Sequence, residues 1–201
     1  MREFLPGILV WPWFSEPHGY DFNGTLVLHP DGNLCIDPVE LDTEVLDRLA
    51  KEGVARILLT NRNHVRAATR VRERTGAKIA IHPADAAYAS KQGAAIDAEL
   101  REGERAGPFE VVGVPGKSPG EVALFDARRR LLVVGDALIG NPPGRLSLLP
   151  ERVMDDLPRL RASLRTLLAL DFERVLVGDG VSLLADGHAR LAELVASLPP
   201  G

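Results

Sequence analysis

At 201 residues, with 45% hydrophobic and 26% charged content, the chain has the makeup of an ordinary globular protein with a sizeable core, which excludes a disordered or fibrous one. A net charge of −4 gives no general pull toward nucleic acid or an anionic membrane surface, and no apolar run reaches membrane-spanning length. The one cysteine, Cys35, excludes an internal disulfide, and an N-terminus broken by Pro6 and Gly7 does not read as a secretory signal, so the expectation is a cytoplasmic protein.

No Ser/Gly-rich or Pro-rich linker divides the sequence, so residues 1–201 read as a single domain. Residues 24–29 and 33–37 are branched, apolar runs joined by Pro30-Asp31-Gly32, which predicts a β-hairpin. From Asp42, a natural helix cap, Val45, Leu46, Leu49 and Ala50 recur at helical spacing until Gly53. A buried strand is predicted over 55–60, a loop over 61–63, an arginine-studded helix over 64–75 stopped by Gly76, and a strand over 78–82. This order argues for parallel pairing in the first half. Residues 83–106 give only a weak helical pattern. Three strands follow, over 109–114, 121–125 and 131–134, forming an antiparallel meander. The remainder reads as a long helix over 150–170, a strand over 174–177 and a helix over 186–198 capped by Asp186. Two facing sheets with helices outside, a four-layer αββα sandwich of the α/β class, would bury the apolar faces of all these elements.

Four loops follow directly on apolar strands and carry polar, charged or glycine residues, where a scaffold places chemistry. They are Thr60-Asn61-Arg62-Asn63-His64-Val65-Arg66, Pro115-Gly116-Lys117-Ser118-Pro119-Gly120, Gly135-Asp136 and Gly178-Asp179-Gly180. In order and setting they resemble the metallo-β-lactamase superfamily over nearly the whole chain. That family has Thr-His-x-His-x-Asp-His, Pro-Gly-His-Thr-Pro-Gly, Gly-Asp and Gly-His-Gly at these places, and Ile36-Asp37-Pro38 matches its Ile-Asp-Pro-Gly strand end.

The resemblance implies the αββα fold and a pocket made by Asp37, Asn61, Asn63, His64, Arg66, Lys117, Asp136 and Asp179. It also places Asn61, Asn63, Val65, Arg66, Lys117 and Asp179 where the family has other metal ligands, with Asp136 alone kept in kind. The expectation is therefore no metal and no other cofactor, with Lys117 and Arg66 compensating the aspartates and attracting a small, anionic molecule. Nucleic acid and membrane partners are not expected, and a homo-oligomer is compatible with the sequence. The rival expectation is a hydrolase of small esters, thioesters or lactones. It would use a single divalent ion such as zinc on Asp136, Asp179 and His64, or a metal-free base drawn from the same three residues.

Simpler readings stand beside these. Asp136 and Asp179 suit a structural ion pair with Lys117, His64 suits an exposed first turn of the helix over 64–75, and Asn61 and Asn63 suit caps of that helix. Arg62, Arg66, Arg70, Arg72 and Arg74 suit a solvated helix face. Trp11 and Trp13 suit a core or dimer contact, Cys35 a core position, and His18, His29, His82 and His188 form no ligand pair.

Overall fold

The computed structural model describes residues 1–199, which divide into two compact units, one over Met1–Leu100 and one from Arg101 onward, each built on its own mixed sheet. In the first unit the sheet runs in sequence order through β1 (Arg2–Leu5), β2 (Ile8–Ser15), β3 (Tyr20–Val27), β4 (Asn33–Ile36), β5 (Val54–Leu59), β6 (Lys78–Ile81) and β7 (Ile96–Glu99). Pairing is antiparallel from β1 to β4 and parallel from β4 to β7. The parallel half requires crossovers, which α1 (Thr43–Glu52), α2 (Ala68–Thr75) and α3 (Pro83–Lys91) supply.

The 24–29/33–37 hairpin forms as β3 and β4, with Thr25 opposite Ile36 and Val27 opposite Leu34. Its N-terminal neighbours, β1 and β2, were not legible. Pro12 within Trp11-Pro12-Trp13 speaks against a strand, yet β2 pairs with β3 along its whole length. Helix α1 starts and stops where its sequence signals lie. The Asp42 carboxylate accepts from Val45 N at 2.8 Å, and Gly53 takes φ +77°.

Helix α2 departs from the expected 64–75. It begins only at Ala68, because Arg66 sits at φ +30°, outside the helical region, and no side chain caps Ala67. The weak pattern over 83–106 resolves into α3, opened by Pro83 and capped by the His82 ring, followed by β7 and the two-residue β8 (Arg105–Ala106). Both strands are short and charged edges of their sheets, a composition that blunts edge pairing and also hides strands from apolar pattern-reading.

The second unit orders its strands β12-β11-β10-β9-β8, with β9 (Phe109–Gly113), β10 (Val122–Asp126) and β11 (Leu131–Val134) as the expected meander and β12 (Arg174–Val177) parallel to β11. The expected helix over 150–170 is shorter. A 3-10 turn over Glu151–Val153 comes first, then Asp156 accepts from Arg159 N at 2.9 Å and Pro158 occupies the first turn of α4 (Leu157–Leu167). Proline lacks a backbone donor and is tolerated there, where no donor is needed. The last helix, α5 (Gly187–Ser197), has Asp186 at its cap position in a left-handed conformation, φ +59°, with no side-chain cap bond.

Leu26, Cys35, Leu49, Ile57, Val71 and Ile79 represent the core of the first unit, and Phe125, Leu132, Leu160, Leu164, Phe172 and Leu191 that of the second. Cys35 is thus a core residue. Burial pushes its thiol pKa far up, and the charge of Asp37 adds to the rise. The native protein should therefore show no thiol titrating with a disulfide reagent at about pH 8, and the full single equivalent only after denaturation; fast labelling of the native chain would show that this core opens. Among the described residues no helix is long and apolar enough to cross a membrane.

Candidate functional site

Two constellations stand at the carboxyl ends of the parallel strands, one in each unit. In the first, Asp37 follows β4 and Thr60 follows β5, so the parallel register brings the two ends side by side. Thr60 donates to Asp37 twice, from its backbone N to Oδ1 at 2.8 Å and from its hydroxyl to Oδ2 at 2.6 Å. His64 Nδ1 lies 2.9 Å from the same Oδ2 and 3.2 Å from Thr60 Oγ1. All three side chains are buried, and Asp37 adopts φ +44°, a left-handed backbone that non-glycine residues rarely take. A carboxylate only accepts, so the hydrogen that His64 turns toward Asp37 belongs on Nδ1.

The reading of His64 as an exposed first-turn residue is corrected: it is 0% exposed and lies before the helix. Asn61 and Asn63 are not caps of a helix beginning at His64 either. Asn61 is buried and its Oδ1 accepts from Asn63 N at 2.8 Å, closing the loop on itself, while Asn63 is exposed. Neither do the arginines form one face. Arg66 stacks over Phe22 with its guanidinium 4.3 Å from the ring centroid, Arg62 over Tyr88 at 4.7 Å, Arg70 donates to Leu41 O, and Arg72 and Arg74 pair with Asp97 and Asp47.

In the second unit Lys117 Nζ lies 2.6 Å from Asp136 Oδ2, and both side chains are buried. The loop carrying Lys117 is clamped by α4: Asp156 N donates to Gly116 O at 2.7 Å and Ser163 Oγ to Pro115 O at 2.8 Å. Gly116, at φ +145°, has no room for a side chain, since a Cβ there would come within 2.3 Å of Leu160 N. The loop carrying Asp136 is held by buried Glu121, whose Oε1 accepts from Ala137 N at 2.9 Å. Asp179, also buried, follows β12. Its carbonyl accepts from Gly140 N at 2.9 Å, which ties the Asp136 and Asp179 loops together.

The coupling of His64 to Asp37 and Thr60, and the support from Glu121, were not found from sequence. Asp37 and His64 are 27 positions apart, so no local pattern joins them; only the Ile36-Asp37-Pro38 strand end was a signal. Of the other histidines, His18 Nδ1 meets Ser15 Oγ at 2.7 Å and His188 Nε2 meets Leu168 O at 3.0 Å, both local roles.

A family model described as the metallo-beta-lactamase superfamily matches residues 3–198. Among solved structures, TTHA1623, crystallised in a di-iron-bound form, is 30% identical, with 94% of this chain and 98% of that chain covered and a TM-score of 0.68. The metallo-beta-lactamase family protein TTHA1429 from Thermus thermophilus is 20% identical over 96% of this chain and 80% of its own, at a TM-score of 0.73. A metallo-beta-lactamase from Pontibacter korlensis is 14% identical over 98% of each chain, at 0.79, a likeness of fold. No curated protein matches the chain. With nearly every residue inside the family match, and with that family's α/β fold of two mixed sheets, the chain belongs to the metallo-beta-lactamase superfamily.

Proposed function

We propose that this superfamily member has exchanged the dinuclear metal centre for side-chain cations, and that it binds a small anionic molecule in place of carrying out metal-driven hydrolysis. The observation behind this reading is the buried contact of 2.6 Å between Lys117 Nζ and Asp136 Oδ2. Asn61, Asn63, Val65, Arg66 and Lys117 stand at positions where the family resemblance puts metal ligands. Valine, lysine and arginine offer no lone pair to a divalent ion at neutral pH, so the donor set does not fit a two-metal centre. An ion approaching Asp136 would also meet the ammonium. A divalent and a single positive charge about 4 Å apart repel by roughly 8 kcal/mol at an effective dielectric near 20, an upper-end figure because the lysine can move. The ammonium instead offsets the cost of the buried carboxylate, as a metal would.

His64 supports a second reading. Its ring is oriented by Asp37, the kind of second contact that fixes a metal-ligating or proton-transferring histidine. His64, Asp136 and Asp179 are each buried and each carries an atom able to bind a metal ion, and TTHA1623 is a di-iron-bound relative. On this reading the protein is a hydrolase of small esters, thioesters or lactones using one divalent ion such as zinc, or one of these residues as general base. A bound ion would supply a water of lowered pKa.

Elemental analysis of the untagged protein after incubation with zinc or manganese separates the two. The first reading expects near-zero metal per chain and a thermal midpoint that neither ion nor chelator moves. About one ion per chain, with stabilisation lost in Asp136→Asn, would sink it in favour of the second.

A further inference from the structure

The outer side of β2 in the first unit carries a groove that the reading above leaves unused. A cavity of about 500 Å³ is lined by Trp11, Trp13, Leu41 and Val45, and by the acidic residues Glu40 and Asp42. A second cavity of about 310 Å³ shares Met1 and Val45 with it and continues past Leu9 and Glu44 toward Lys51. Sharing those two residues, they form one trough lined by β2, α1 and the residues just before α1.

Three features of this trough specify an occupant. Trp13 is 40% exposed, a large apolar ring left at the surface of a strand. Glu40, Asp42 and Glu44 are exposed and have no cation recorded against them among the described residues, whereas nearby Asp47 is matched by Arg74 and Arg48 by Glu52. Trp11, 2% exposed, lines the larger cavity together with Trp13, so its wall is partly aromatic. An aromatic face beside unmatched carboxylates suits a lysine or arginine. Two adjoining cavities of this size suit several side chains of one segment. The carboxylates also disfavour an anionic membrane surface.

We propose that this trough docks a basic, amphipathic peptide segment of another protein. A lysine or arginine lies over Trp13 between Glu40 and Asp42, and an aliphatic side chain fills the apolar stretch by Val45. The proposal is independent of the metal question, because the trough lies on the first unit's sheet and α1 and uses none of the residues of the candidate site.

The test is selection of a displayed library of random short peptides on the full chain, with Trp13→Ala protein as the counter-target. The expected winners join Lys or Arg to aliphatic residues. A synthetic winner should alter the fluorescence of Trp11 and Trp13, the two tryptophans of the chain, and shift the Trp11 indole N–H resonance. Affinity should fall roughly five- to tenfold in Glu40→Gln and again in Trp13→Ala, the size of losing one partly desolvated cation–π or ion contact. Both positions are exposed, and an unchanged thermal midpoint verifies that each variant folds. The proposal is overturned if no peptide is enriched, if winners lack a basic residue, or if they bind both variants with unchanged affinity. Tetramethylammonium reproducing the fluorescence response would overturn it in favour of a small-amine site. Concentration-dependent self-association abolished by Trp13→Ala would overturn it in favour of a second copy of the chain.

Discussion

Replacing Lys117 by alanine is expected to destabilise the protein by about 3–5 kcal/mol, because it leaves the buried Asp136 carboxylate without its cation. Lys117→Met, which keeps most of the stem volume, should lose nearly as much, since the missing charge and not the missing carbons sets the cost. Lys117→Met combined with Asp136→Leu should recover part of the loss, as removing a whole buried pair is commonly far milder than halving it. Urea unfolding at constant slope measures each step. A loss for Lys117→Ala below about 1 kcal/mol is the behaviour of an exposed pair, and would show that water reaches this carboxylate.

Asp37→Ala should be of comparable size. It strands the Thr60 N–H in a buried site, worth about 1–3 kcal/mol when left unpaired, and costs the His64 Nδ1–H its charged acceptor, leaving the 3.2 Å contact with Thr60 Oγ1. Asp37→Asn should cost less. An amide oxygen can still accept from Thr60, but a single carbonyl cannot also replace the oxygen that faces His64. Nitrogen-detected NMR of the imidazole gives the sharper readout. The hydrogen should sit on Nδ1 of His64 in the native protein and lose that preference in Asp37→Ala. An imidazole spectrum indifferent to the substitution would mean that Asp37 serves the backbone of Thr60 alone.

The parts of the fold that could be read from sequence are those whose signals are local. Pro30-Asp31-Gly32 specifies a turn, Asp42 and Gly53 bracket a helix, and the meander declares itself through alternating apolar runs. Where reading failed, a non-local constraint had overruled the pattern. Residues 64–67 have helical composition, but Arg66 is turned to φ +30° over the Phe22 ring on another strand. Strand β2 holds a proline that its pairing with β3 tolerates, and α4 is shortened by the cap at Asp156 and by Pro158. The site divides similarly. The loops were recognisable in order, because each follows an apolar strand. The burial of His64 was not, since its partner is a carboxylate that follows a neighbouring strand, and nothing in the run from Thr60 to Arg66 distinguishes an inward imidazole from an outward one.

Within each sheet, the parallel strands deliver Asp37, Thr60, Asp136 and Asp179 at one set of strand ends, while the opposite ends carry short connections such as Pro30–Gly32 and Ala127–Arg130. Those connections hold none of the residues named for either constellation. They are accordingly the places to graft a fluorophore, an epitope or a surface tether, since a label there stays clear of both constellations.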